Sequence, residues 1–203
     1  MAPRRRGQGT GDFGDDNNCC AVIGKDLIFA GEVGPKLAIF LWENLLRAGS
    51  RLDEDTSKTK EGRRLFLNST GGETETMFSI VDLMEEVDNI STVATGSCMS
   101  AAVPIIAAGT PGQRHATHRT RFLIHPAWWS TDDRLEKETM AAETEEFEVI
   151  HDAYAAIMTR YCKHSKSWWK AKLDTHRPWY FGAAEAREHG IIDNILADRL
   201  RKQ

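Results

Sequence analysis

The stretch TGSCMSAAVPIIAAG, residues 95 to 109, holds three candidate nucleophiles within four positions: Ser97, Cys98 and Ser100. A serine hydroxyl attacks a carbonyl at neutral pH only when a base takes its proton and something receives the charge of the tetrahedral intermediate. A helix start supplies the second, because its first N–H groups have no intrahelical partner and the dipole's positive end points the same way. Pro104 lacks an N–H and sits best among the first helical positions, so regular helix is expected from about Ala101. Ser100 then stands at the junction beside the Ala101 N–H, while Ser97 and Cys98 lie farther back, in the strand-to-turn connection. Small Ala101 and Ala102 let a substrate backbone approach. On this segment alone a serine that merely caps the helix is the commoner arrangement.

The elements that must position such a group alternate. AVIGKDLIFAGEV reads as one or two strands broken at Gly24 and Gly31, and Gly34-Pro35 opens a helix with Pro35 at its first position. Leu37, Phe40, Leu41, Leu45 and Leu46 recur along it at helical spacing, and Gly49 can end it. RRLFLNSTGG is a strand over Leu65 to Leu67 running into a tight turn, followed by a helix from about Glu73 to Glu86 with Met77, Ile80, Val81 and Met84 inward. ISTVATG is the next strand. Strand, glycine turn and helix thus occur twice in succession, the pattern of stacked β-α units whose turns gather on one edge. GQRHATHRTRFLIHP reads as two short strands joined near His118-Arg119, a hairpin with His118 at its tip. A long helix over roughly 133 to 163 follows, with an apolar stripe of Met140, Phe147, Ile150, Tyr154, Ile157 and Tyr161 and a glutamate-rich opposite face. A short helix around 165 to 173, a last helix ending at Gly190 and the strand IIDNIL complete the chain.

The chain has 203 residues, 41% hydrophobic and 28% charged, with a formal net charge of -4. That describes one soluble globular domain and excludes a general nucleic-acid or membrane-surface binder. No apolar run approaches a bilayer span, and no apolar segment of signal-peptide type follows the basic N-terminus. Residues 1 to 18, rich in glycine and charge, are expected to be a disordered tail before a domain over 19 to 203. Cys19, Cys20, Cys98 and Cys162 form no CxxC pair, so all four read as reduced thiols in a cytoplasmic setting, with no metal or organic cofactor expected.

NSTGG, GSCMSAAVPIIAAG, RFLIHP and LDTHRPWYFGAAEAREHGIID, taken together and in order, resemble the proteolytic subunit of the Clp family of serine peptidases, over about residues 27 to 196. The resemblance implies an α/β fold of the crotonase-like ββα-superhelix type, with a protruding long helix in a handle region of about 126 to 164. It implies a serine endopeptidase that cleaves peptide bonds through an acyl-enzyme. Carried over by position, it makes Ser100 the nucleophile, His125 the base and Asp174 the orienting carboxylate. Gly72 and Ala101 would offer the oxyanion N–H groups. An unfolded polypeptide would bind as an added strand along Gly71 and Glu73 on one side and Pro126 and Ala127 on the other, with Trp128 and Trp129 walling the groove or packed inside. The implied partners are copies of the same chain, in a heptameric ring or two stacked rings, and an ATP-dependent unfoldase.

Rivals exist for each role. His115 and His118 compete as bases, while His151, His164, His176 and His189 fall on polar helix faces or loops; Asp152 and Asp193 compete with Asp174. The chain also departs from the family's pattern. Thr70 stands for the usual proline, Ala101 for the usual methionine, and AWWSTDD replaces the Gly-rich strand after the histidine. Two other readings follow: an inactive Clp-like subunit or assembly scaffold, and an acyl-CoA enzyme on the related fold, which needs no Ser-His-Asp set.

Overall fold

The computed structural model describes residues 10–12, 18–46, 62–87, 89–126, 137–175 and 177–197. It opens with three antiparallel strands, β1 (Thr10–Asp12), β2 (Cys19–Ile23) and β3 (Asp26–Ala30). β1 lies in the segment expected to be a disordered tail. For residues 10–12 that expectation is corrected, because the ladder from Thr10↔Val22 to Asp12↔Cys20 gives them backbone partners that composition does not reveal.

The two β-α units follow as expected. α1 (Pro35–Leu46) starts at its proline and buries Leu37, Phe40, Leu41 and Leu45. It links β3 to the parallel strand β4 (Arg63–Ser69). α2 (Thr74–Glu85) buries Met77, Ile80, Val81 and Met84, and links β4 to the parallel strand β5 (Ile90–Met99). β5 runs three residues beyond ISTVATG, so Ser97 and Cys98 belong to the strand itself. α3 (Ala102–Ala107) is buried at every position, as a helix apolar all round must be.

Beyond α3 the sheet forks. β6 (Arg114–Ala116) pairs with Thr92–Ala94 of β5, and β7 (Arg121–Ile124) pairs with Ser97–Met99 of the same strand, both parallel to it. The expected hairpin is therefore replaced by two strands in tandem along one neighbour. Thr120 Oγ1 donates to Ala94 O at 3.0 Å and holds the step between them, with His118 exposed in the turn. α4 (Lys137–Tyr161) docks Ile150, Tyr154, Ala155 and Met158 into the core, and α5 (Lys166–Leu173) packs against it. β8 (Trp179–Gly182) is antiparallel to β7, with Phe122 stacked on Phe181. α6 (Ala183–Glu188) and β9 (Asn194–Ile195), parallel to β6, close the chain.

Arg114, 7% exposed, ties these parts together. Its guanidinium grips both Asp193 oxygens at 3.0 and 2.6 Å and donates to Tyr161 O at 2.7 Å. Among the described residues, no helix is long and apolar enough to cross a membrane.

Candidate active site

Three strands end side by side. β5 is flanked at its carboxyl end by β4, through Ser69↔Cys98, and by β7, through Met99↔Leu123. The residue after β5 is Ser100, the one after β7 is His125, and Thr70-Gly71-Gly72 follows β4. Parallel register alone therefore brings a hydroxyl, an imidazole and a glycine turn to one sheet edge, the usual place for ligands in such sheets.

Ser100 does not cap α3: the cap position is Ala101, and no side-chain cap bond forms. Instead Ser100 has φ +53°, in a left-handed region that a non-glycine residue rarely takes, while its N–H donates to Leu123 O at 2.8 Å. A sharp strand-to-helix turn of this kind lifts a serine off the sheet, and strain of this kind clusters at functional sites. Cys98 is fully buried, and burial pushes its thiol well above the ordinary 9.0, so it cannot supply a thiolate. Ser97 remains in the ladder, its N–H bound to Asn68 Oδ1 at 2.9 Å.

The glycine turn is built tightly against this serine. A Cβ on Gly71 would lie 2.7 Å from Ser100 Cβ, and one on Gly72, where φ is +149°, would lie 2.1 Å from Val33 O. Val33 N–H donates to Gly71 O and Glu73 N–H donates to Val33 O, both at 2.8 Å. Those two main-chain groups are thus occupied, and pairing geometry turns the Gly72 N–H to the other side. Ser69, 2% exposed, accepts the Gly71 N–H on its Oγ at 3.2 Å and so fixes the turn. Asn68 and Ser69 are not among the candidates that sequence reasoning yields; the available signal is a run of three polar residues, Asn68-Ser69-Thr70, directly before the double glycine.

His125 and Pro126 are half-buried, and His125 Nδ1 is hydrogen-bonded to Pro126 O. A carbonyl only accepts, so Nδ1 carries the proton and Nε2 is left as the basic nitrogen. Asp174 is the C-cap residue of α5, five residues before Trp179, which pairs with Ile124 beside His125. Its carboxylate, 57% exposed, stands 3.9 Å from His151 Nδ1. No hydrogen bond or ion pair joins Asp174 to His125 among the described residues. Ala127 and the AWWSTDD segment, with Trp128 and Trp129, lie outside the described residues.

The rival groups are engaged elsewhere. Asp193 is held by Arg114, and Asp152 by Lys166 at 2.6 Å. His115 belongs to β6, away from the three ends. His164 lies in the bend after α4 and His189 in the turn after α6, both half-buried, and they bond each other at 2.8 Å inside a cluster with Trp168 and Trp179. His151 is likewise half-buried, its side chain 12% exposed beside Phe147. No group of three or more His, Cys, Asp or Glu side chains among the described residues could hold a metal.

Comparison with known proteins meets this geometry. Residues 50–199 match the family profile described as Clp protease. ATP-dependent Clp protease proteolytic subunit 4 of Rhodococcus jostii (strain RHA1) is 30% identical over 178 residues, which cover 87% of this chain and 87% of that protein. Subunit 1 of the same organism is 37% identical over 139 residues, 66% of this chain and 60% of its own length. Subunit 3 of Frankia casuarinae is 31% identical over 136 residues, and the match spans 62% of its length. The chain thus spans about three fifths of two of these relatives and most of the third. Profile, relatives and converging strand ends agree that this chain belongs to the Clp protease family.

Proposed function

We propose that the protein is a serine endopeptidase subunit of the Clp type, with Ser100, His125 and Asp174 as its triad. The observation that carries this reading is the left-handed turn at Ser100, held between the Gly71-Gly72 turn after β4 and His125 after β7. In the reaction Ser100 Oγ attacks the scissile carbonyl carbon while His125 Nε2 takes its proton. The Gly72 and Ala101 N–H groups receive the alkoxide, whose loss of one donor typically raises a barrier by about 2.7–4 kcal/mol. Collapse breaks the C–N bond, and the imidazolium returns the proton to the departing amine. A water, deprotonated by His125, then attacks the Ser100 ester and releases the new carboxylate. Asp174 orients the ring and stabilises the imidazolium.

The substrate is an unfolded polypeptide, added as a strand beside Gly72 and the Pro126-Ala127 segment. The fold is read as the crotonase-like ββα superhelix, with α4 as the handle helix. The protein works in the cytoplasm as a homo-oligomeric ring beside an ATP-dependent unfoldase. Exposed Ile39 and Trp42, next to an apolar pocket lined by Leu46, Phe78 and Leu83, are a surface such assembly would cover.

A fluorophosphonate probe tests the reading. It labels Ser100 in the assembled protein, mass spectrometry locates the adduct, and Ser100→Ala abolishes it. His125→Ala lowers peptide turnover by several orders of magnitude with the fold intact. The placement of Asp174 against His151 favours a second reading, an inactive scaffold subunit, and an assembled protein that takes no label would establish it.

A further inference from the structure

The parallel ladder between β4 and β5 does not run unbroken to the site. It pairs Arg63↔Ile90 through Leu67↔Ala94 and resumes at Ser69↔Cys98, so Asn68 alone faces Thr95, Gly96 and Ser97. β5 therefore carries two extra residues, bent out at Gly96, where φ is +58°. Parallel strands rise about 3.3 Å per residue, so the bulge draws Ser100 back by about 6.6 Å relative to β4. Without it the pairing would continue as Ser69↔Gly96, and the glycine turn would face Cys98. With it Gly71 lies opposite Ser100, so close that a Cβ on Gly71 would stand 2.7 Å from Ser100 Cβ. A shift of two residues, unlike a shift of one, lets β5 keep its buried face.

Asn68 holds this bulge. Its main-chain O is taken on the β3 side by Gly31 N–H at 3.0 Å. Its Oδ1 accepts the Ser97 N–H at 2.9 Å on the β5 side, in place of the main-chain carbonyl that an unbroken ladder would supply. The same amide lies against the bend itself: a Cβ on Gly96 would be 2.8 Å from Asn68 Oδ1. Ser97, Cys98 and Met99 are paired on their other side with Arg121, Phe122 and Leu123 of β7. The bulge thus leaves Ser100 and His125 in register and governs only the serine against the glycine turn.

We propose that Asn68 is a positioning residue whose side-chain carbonyl pins the β5 bulge and thereby sets the Gly71-Gly72 turn opposite Ser100. The inference rests on the peptidase reading and adds to it the residue that fixes the register of its oxyanion turn. One hydrogen bond of this kind shifts the balance between pinned and relaxed bulge by about two- to tenfold.

The test is the rate of Ser100 labelling by a fluorophosphonate in the full-length protein. Asn68→Leu and Asn68→Ala both remove the acceptor, one keeping the bulk and one not, and each slows labelling by about two- to tenfold. With a peptide substrate kcat falls by the same factor and KM stays, because oxyanion donors act on the transition state. Asn68→Asp keeps an acceptor oxygen and restores the parent rate, measured at about 0.5 M salt to screen the added charge. Amide hydrogen exchange at Ser97 gives a readout independent of activity: it speeds up in Asn68→Leu and Asn68→Ala and not in Asn68→Asp. Melting followed by circular dichroism checks that each is folded. A merely structural role lowers Tm and leaves kcat at the parent value, and that result overturns the proposal. So does an Asn68→Asp protein no faster than Asn68→Leu, or Ser97 exchange that does not change. In those cases a labelled parent leaves the peptidase reading standing. A parent that takes no label overturns the peptidase reading and the role of Asn68 with it.

Discussion

Replacing Gly71 with alanine puts a methyl group into the tightest point of the candidate site. The new Cβ would lie 2.7 Å from Ser100 Cβ and 2.8 Å from Met99 O, and Ala101 N would be 3.3 Å away. Carbon atoms in ordinary contact stand more than 3.4 Å apart, so the glycine turn or the β5–α3 junction must yield by about 0.7 Å. The backbone adds a second penalty, because φ at Gly71 is +101°, where an L side chain is strained by about 1–3 kcal/mol. Overpacking contributes about 1–3 kcal/mol more. The sum, about 2–6 kcal/mol, corresponds to a fall in Tm of roughly 4–24 °C for a chain of this size. Displacing either oxyanion N–H by that amount slows Ser100 labelling by about a hundredfold. Gly112→Ala isolates the strain: its φ is +83°, yet a Cβ there meets nothing within 4 Å. It should lower Tm by a few degrees and leave labelling untouched. Melting curves and labelling rates on both variants decide the matter. A Gly71→Ala protein that labels at the parent rate, or a Gly112→Ala protein that loses as much, refutes the reasoning.

Tyr154 is 7% exposed and its hydroxyl has no hydrogen-bond partner among the described residues, so Tyr154→Phe should be neutral or raise Tm slightly; a marked drop would reveal a partner for that oxygen. Asp193→Asn should destabilise the protein by about 3 kcal/mol at pH 6, because it leaves the buried Arg114 uncompensated. Burial alone would raise the Asp193 carboxyl, but the bonds from Arg114 outweigh it and hold the group below its ordinary 3.8. Its folded form binds a proton more weakly than the unfolded one, so the bridge contributes fully above 3.8 and is lost as pH falls below that value. Urea midpoints of parent and variant should therefore converge on acidification. Iodoacetamide at pH 8 should spare Cys98 and Cys162 in the native protein, since burial raises both thiols, Cys162 to about 12. Rapid modification of Cys98 without unfolding would contradict its burial.

Much of the fold was readable because local signals matched tertiary needs. Pro35 starts α1, and the apolar spacing of α2 is its buried face. The misreadings occur where pairing, not propensity, decides. WYFG carries no alternation of its own, and β8 exists because β7 offers it a ladder and Phe122 a stacking partner. The 114–124 region resembles a hairpin in every local respect, yet both halves find a longer neighbour in β5. The charged tail gains β1 from β2 in the same way.

The site divides along this line. Ser100, His125 and the glycine turn follow strands in one parallel register, so their mutual placement is inherited from backbone hydrogen bonds and cannot drift without shearing the sheet. Asp174 follows a helix and answers to side chains, and its neighbour His151 looked like an unremarkable histidine of a polar helix face. Of the three proposed triad members, it is the one whose position a few side-chain contacts decide. To complete the proposed triad that carboxylate must leave His151 and take the His125 Nδ1–H from Pro126 O, a change of side-chain partners that leaves the strand ladder intact.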